Sequence, residues 1–453
     1  MTKFVTTHMS ALGRPQDVPT VSRGGWTPTH QLLSSKMDVC LGVLTCLSSF
    51  TLTIRAVGTL SLKEAIARER RDILEKMTLG ANTVTELVGE GRCLLGKDVV
   101  SGEPFDWPHL MLLQGGFQQG GYEAYNTVLS VSLAPDGELL ATSSEDKVVR
   151  VWNIKTGRLV QRWENHNDIV WTVAFSPNGE QVASGSADTL IILWGTHGEV
   201  GCLEGHTADV WTVVYDPDGT RLASGSVDET IKIWDPETRE LLGHTLRGHV
   251  AQIMHLAFTT DGSRIISCAE ASGRIWDVET GAHLATLQGH TGAIWSMAMS
   301  HAGDRVITGS EDHSARIWDC ETGQELVTIN EHTGPIWAVA FSPDDSEVLT
   351  GSYDSMLVSN DSSSGERHQL FTERPSIIGS IGYSTDGKYI ASGATDGNVK
   401  LWDRYNGRML AEWRGHRDKC KKVEFVNGDR DILTSSDDGS IRMWSVRDVL
   451  RIV

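Results

Sequence analysis

A run of alternating apolar residues closed by tryptophan, most often as Trp-Asp, returns along this chain at an almost fixed interval. The tryptophans are Trp152, Trp194, Trp234, Trp276, Trp318, Trp402 and Trp444, separated by 42, 40, 42, 42, 84 and 42 residues. The 84-residue gap is two periods, and its middle holds a worn copy around Tyr353 and Asp354 in which Asn360 stands at the tryptophan position. A period near 40 identifies a supersecondary unit that cannot bury its own apolar face and must stack on copies of itself.

The copy from Gly205 to Leu246 shows what the unit is. Val210 to Tyr215 reads as a strand, and Asp-Pro-Asp-Gly after it supplies the Pro and Gly of a tight reversal. Leu222 to Ser226, Ile231 to Trp234 and Leu241 to Leu246 follow as three more strands. Four short antiparallel strands make one twisted sheet, and repetition around an axis makes a propeller. Eight strand sets can be counted. The first runs Val128–Ala134, Leu139–Ser144, Val148–Asn153 and Arg158–Trp163; the last runs Lys421–Val426, Asp431–Ser436, Ser440–Ser445 and Val449–Val453. Both are complete, so eight self-contained blades are expected, and exchange of a terminal strand would require a segment such as Leu110–Phe117 to displace Val449–Val453.

Fixed offsets within the copies repeat a histidine, a hydroxyl residue, an aspartate and the tryptophan. They are His166, Ser184, Asp188 and Trp194; His206, Ser224, Asp228 and Trp234; His290, Thr308, Asp312 and Trp318; and His416, Thr434, Asp438 and Trp444. On these residues the chain resembles the WD40-repeat family, with copies such as His332-Thr-Gly-Pro-Ile-Trp similar to those of eukaryotic, especially fungal, arrays. The resemblance covers about three quarters of the chain. It implies an all-β, eight-bladed WD40 propeller in which each set forms a buried hydrogen-bond chain. Independently, a buried indole N–H, hydroxyl and imidazole each need a partner, and a carboxylate at the end fixes the histidine tautomer. Copies one and seven lack the histidine, copy four lacks the aspartate and copy six the tryptophan. Blades four, six and seven are therefore expected to be softer.

The domain reading is an extension over 1–60 with little order, a short helical segment and Gly-rich linker over 61–121, and the propeller over 122–453. Residues 1–121 hold 12 Lys+Arg against 11 Asp+Glu, and the remainder holds 28 against 48. That acidic field repels phosphate backbones, so proteins or peptides with basic segments are the expected partners and nucleic acid is not. The seven cysteines are scattered and never form Cys-x-x-Cys, which fits neither a disulfide framework nor a zinc site and suits cytosol or nucleus. Val39 to Ile54 is the most membrane-like run, but at about 16 residues it falls short of a bilayer core.

Three motifs tempt a functional reading. The His-Ser-Asp sets look like hydrolase triads, yet a nucleophile would not be duplicated blade after blade beside a core tryptophan. Gly91 to Lys97 matches a phosphate-binding loop until Asp98 replaces the metal-holding hydroxyl. Ser61-Leu-Lys-Glu64 opens a short amphipathic helix that either packs on the propeller or serves a partner. No catalytic residue, cofactor or metal ligand is expected.

The functional expectation rests on a second series on the first strand, five residues after the histidine and placed by strand alignment in copies one and seven: Leu129, Trp171, Trp211, Met254, Trp295, Trp337, Gly379 and Lys421. In the family this strand start and the turn before the aspartate approach the narrow face, so the resemblance implies an aromatic ring there. Glu145, Glu311, Tyr353 and Asp437, each just before its aspartate, would surround it. Rigid aromatics make anchor pockets for a peptide or protein loop, although tryptophan here also suits packing between blades. A protein-interaction scaffold follows. The alternatives are a substrate receptor of a ubiquitin ligase, from the likeness of Trp444-Ser-Val-Arg447 to a Trp-Asp-x-Arg box, and a corepressor or chromatin-associated subunit.

Overall fold

The computed structural model describes residues 109–114, 127–195, 198–371 and 376–451, all within a compact unit spanning Gly96–Val453. The expected extension, the 61–77 helix, the Gly91–Asp98 motif and the Val39–Ile54 run lie outside the described residues. Among those described, no helix is long and apolar enough to cross a membrane.

Eight antiparallel sheets follow one another in sequence and form a propeller. Each is entered at its inner strand, and in six of the eight the chain leaves by a fourth, outer strand. Blade two is representative, with Val170–Phe175 innermost, then Val182–Ser186, Ile191–Gly195 and Gly198–Leu203. The second and third strands have both faces covered, because a neighbouring blade lies on each side. Eight apolar clusters result among the described residues, one at each junction. Ala141, Val149 and Val151 of blade one pack with Val173 and Trp194 of blade two, and Val131 and Trp152 of blade one pack with Leu433 and Met443 of blade eight. Each repeat tryptophan thus leans on the blade before its own.

Close approach between blades explains the small residues of the second strand. A side chain at Gly225 would place its Cβ 2.5 Å from Ile253 Cγ2 of the next blade. The position takes glycine because another sheet already fills the space.

Two expectations are corrected. Val449–Val453 does not complete blade eight. Its outer strand is His109–Gln114, paired antiparallel to Ser440–Ser445 in the order His109–Gln114, Ser440–Ser445, Asp431–Ser436, Cys420–Val426. Ser445 instead caps a single helical turn, α1 (Val446–Val449), accepting from the Asp448 N–H at 3.3 Å. With the edge already occupied from the other end of the array, this helical turn satisfies the backbone that a strand would have paired. In blade three, Leu241–Leu246 forms no continuous strand; it touches Ile231–Trp234 through two bridges, Trp234 with Leu241 and Ile231 with Leu246. The bulging Gly243, at φ 64°, takes the backbone out of register between them.

Strand exchange closes the ring, so removing it has a defined consequence. A chain starting at residue 115 leaves the Ser440–Ser445 edge unpaired, and we expect its thermal midpoint to fall by several degrees relative to a chain starting at residue 96. Equal midpoints by calorimetry would show that the exchanged strand contributes nothing.

Candidate functional site

Within a blade the repeat residues form a directed donor chain. In blade three, Trp234 Nε1–H donates to Ser224 Oγ at 2.8 Å, Ser224 Oγ lies 2.8 Å from His206 Nε2, and His206 Nδ1 lies 2.9 Å from Asp228 Oδ2. The indole can only donate, so the hydroxyl accepts from it and gives its own proton to Nε2. That leaves Nδ1 carrying the hydrogen given to the carboxylate. The same chain runs through His166, Ser184, Asp188 and Trp194, and through His290, Thr308, Asp312 and Trp318. In blade eight Trp444 donates to Thr434 and Thr434 meets His416, while Asp438 stands farther from the imidazole at 3.4 Å. There Ser440 comes between, with its Oγ 3.0 Å from His416 Nδ1. Burial alone would raise the Asp228 carboxyl. Bonds from His206, Thr230 and the Thr207 N–H outweigh it and hold the group well below the usual carboxylate range.

Chemically these sets are closed. Each hydroxyl is fully buried and already accepts an indole proton, so no acyl or phosphoryl group can reach it. Among the described residues no group of three or more His, Cys, Asp or Glu is arranged to hold a metal.

Imperfect copies are repaired in different ways. Blade one, lacking histidine, brings buried Arg150 onto Asp146, with Nη1 to Oδ1 at 3.1 Å and Nη2 to Oδ2 at 2.5 Å. This substitute was not read from the sequence, although an arginine at a buried strand position was a signal for it. Blade four keeps Trp276, Ser267 and His249 linked at 2.8 and 2.7 Å without an aspartate. Burial, with Arg274 and His283 adding to it, pushes the His249 imidazole down to about 4. Blade six has no indole to donate to Thr350, and Asn360 turns its Nδ2 to the Gly365 carbonyl while its buried Oδ1 finds no partner.

The second series sits on backbone irregularities. In seven blades the ladder between the first two strands slips by one residue at the position of interest: Leu129, Trp171, Trp211, Trp295, Trp337, Gly379 and Lys421. Such a bulge leaves its extra residue outside the alternation, so the side chain is re-aimed away from the blade core. Val210 beside it is fully buried, whereas Trp211 stays half-buried. Blade four differs. Its ladder begins later, at His255–Phe258, and half-buried Met254 precedes it, bonding through its N–H to the Cys268 carbonyl.

The residues before each aspartate join the same end. Backbone bonds run from Glu145 N–H to Thr127, Glu311 N–H to Ala293, Tyr353 N–H to Pro335 and Asp437 N–H to Lys419. Glu145 and Glu311 are exposed, and Asp437 pairs with Lys421 at 3.2 Å. The tryptophans do not form one continuous ring. Trp171 and Trp211 meet at 5.7 Å, with Trp171 Nε1–H donating to Asp209 at 3.1 Å and the Trp211 Nε1–H buried without an acceptor. Among the described residues Trp295 stacks on no other aromatic ring, and 41% of its surface is exposed. Trp337 meets the equally exposed Tyr353 edge to face at 5.7 Å, and Lys419 of blade eight lies over its ring at 4.4 Å.

Comparison with known proteins agrees with this anatomy. The family described as "WD domain, G-beta repeat" matches residues 117–153, 157–195 and 198–235, and the "IFT122 first beta-propeller" matches residues 252–448. The chain belongs to the WD40-repeat family. Like this WD40 protein, eukaryotic translation initiation factor 3 subunit I of Saccharomyces cerevisiae carries such repeats; it is 34% identical over 70 residues, 15% of this chain and 20% of that protein. Nuclear distribution protein PAC1 of Komagataella phaffii is 33% identical over 72 residues, 16% of this chain and 14% of that one. The chain therefore spans a fifth or less of the length of these curated relatives. Among solved structures, the computationally designed Ika8 protein superposes with a TM-score of 0.65 at 26% identity, over 75% of this WD40 chain and 99% of its own.

Two outcomes follow from the donor chains. Ser224→Ala strands both an indole N–H and an imidazole nitrogen in the core, and should cost about 2–4 kcal/mol in urea unfolding. Thr350→Val strands only His332 and should cost roughly half as much, so equal costs would contradict the chain. Burial also depresses His290, His332 and His416, despite the opposing pull of Asp312, Asp354 and Asp438. An imidazole whose folded pKa lies below its unfolded value of about 6.5 is protonated first in the unfolded chain. Stability should therefore be full above pH 6.5 and fall as pH drops toward 4, and His249→Gln should flatten that slope.

Proposed function

We propose that this WD40 propeller is a non-enzymatic scaffold that grips a protein or peptide partner at the end of the ring where the bulged tryptophans emerge. One observation carries the reading: Trp171, Trp211, Trp295 and Trp337 occupy bulges that turn them out of the blade cores and leave them partly exposed. Packing between blades would not need Trp295 at 41% exposure. Large rigid aromatics in half-open positions are what anchor a partner's loop.

The partner's matching segment is basic. Exposed Glu145 and Glu311 flank the aromatic groups, and the repeat region carries 28 Lys+Arg against 48 Asp+Glu. Such a field speeds encounter with cations and repels nucleic-acid phosphates. Cys202, Cys268, Cys320 and Cys420 are free thiols, which supports a cytosolic or nuclear setting. The names of the relatives point to translation initiation and nuclear distribution, and this chain's place among such assemblies, or in a corepressor, is set by its partner.

A second reading is favoured by a different feature. Arg447 is exposed on α1 and borders, with Arg430 and Lys155, a cleft of about 800 Å³. As a ubiquitin-ligase substrate receptor the protein would meet its adaptor there.

Affinity purification with the intact chain and with a Trp171→Ala, Trp211→Ala, Trp337→Ala variant separates these. Loss of specific partners from a folded variant, with circular dichroism unchanged, is the expected result. Retention of every partner would overturn the aromatic-face reading, and dependence of ligase adaptors on Arg447→Ala would establish the second.

A further inference from the structure

Lys419 is an unusual cation. It is half-buried, and among the described residues no carboxylate oxygen lies within 4 Å of its Nζ, since the neighbouring Asp437 pairs with Lys421 instead. The group over which it sits is the Trp337 ring, 4.4 Å away, on blade six. Blade seven lies between them, and the lysine stem passes over Gly379 there. A Cβ at Gly379 would stand 3.7 Å from Lys419 Cε and 3.1 Å from the Cys420 carbonyl, so the inner position of blade seven and the lysine stem are in van der Waals reach. Next to the covered ring, Tyr353 keeps 41% of its surface exposed.

A cation on an aromatic face is worth about 0.5–2 kcal/mol depending on desolvation. Here the half-buried lysine gives up part of its hydration, with that ring contact and the more distant charges of Asp418 and Asp437 set against the loss. Burial, aided by Lys421, lowers its pKa, so the charged form is poorly served where it lies. Another ammonium or guanidinium, brought by a partner already held elsewhere on the face, could make the same contact. Lys419 would then regain water and approach Asp418 and Asp437, whose charges already act on it.

Resting on the aromatic-face reading above, we propose that Trp337 and Tyr353 form a cation subsite kept closed by the chain's own Lys419. The partner segment inserts a lysine or arginine there by displacing it. Lys419 is then an internal competitor that sets the threshold for basic partners.

The test uses the full chain and three fluorescein-labelled nonapeptides of Gly and Ser with alternate positions filled by lysine, arginine or norleucine, at low salt. Lys419→Ala should bind the lysine and arginine peptides about two- to thirty-fold more tightly than the natural chain, without a gain for norleucine. Adding Trp337→Ala should abolish the gain. In the natural chain, the ε-methylene resonances of Lys419, moved upfield by the indole ring, should shift toward free-lysine values on peptide addition. Equal or weaker binding by Lys419→Ala, peptide binding that leaves those resonances in place, or no binding by any form would each overturn the proposal. Failure here alongside loss of partners from the triple tryptophan variant would leave the scaffold reading standing.

Discussion

No blade of this protein owns a core. Every apolar cluster joins two adjacent sheets, so burial is complete only when the ring is closed and blade eight meets blade one. A sheet ending in an open edge would leave backbone groups and an apolar flank in water, and the cost would fall on the junction next to it. His109–Gln114 resolves this by adding a strand from before the first blade to the last one. Both ends of the array are thereby tied into one sheet, and opening the ring requires breaking a hydrogen-bonded ladder as well as an apolar contact.

Given that constraint, the histidine chains have a specific job. Stacked sheets slide easily when their contacts are only apolar, because such contacts carry little directional information. The donor chain fixes each tryptophan's indole by a bond to its own second strand, and that indole is also the surface the preceding blade packs against. Orientation within a blade thus sets spacing between blades. Repairs such as the Arg150 pair with Asp146 keep the carboxylate occupied where histidine is absent, and Lys419 crosses above the blade whose inner position is Gly379. Lapses in the repeat are tolerated because each affects one link of a closed series.

Legibility from sequence follows the same division. Strand positions in most blades, the four full histidine sets and the number eight could all be read, because they repeat and repetition averages out local noise. The outer strand of blade eight could not. Val449–Val453 is as strand-like as any other run, and its loss to His109–Gln114 is a competition between distant segments that no local pattern records. Leu241–Leu246 failed for a nearer reason, since Gly243 with positive φ interrupts its register. The bulges were likewise invisible. Counting five residues past each histidine located the tryptophans, but their departure from the alternation shows only in the ladder.

That last point bears on how such a protein gains a function without losing its fold. A residue inside the alternation faces either a neighbouring blade or the next strand's side chains, and changing it disturbs a junction. The bulged residue belongs to neither. At the seven bulges this chain has leucine, four tryptophans, glycine and lysine, a spread of size and charge that no packed position of the repeat allows. Flanking positions such as Val170, Val210, Ile294 and Ile336 remain fully buried β-branched residues. In seven of the eight blades the fold therefore holds one residue free of its own packing demands and places these residues at a common end. Neighbouring blades differ there in what they offer, from paired indoles to a bare glycine crossed by a lysine, and that asymmetry is what lets a ring of near-identical units recognise a partner in one orientation.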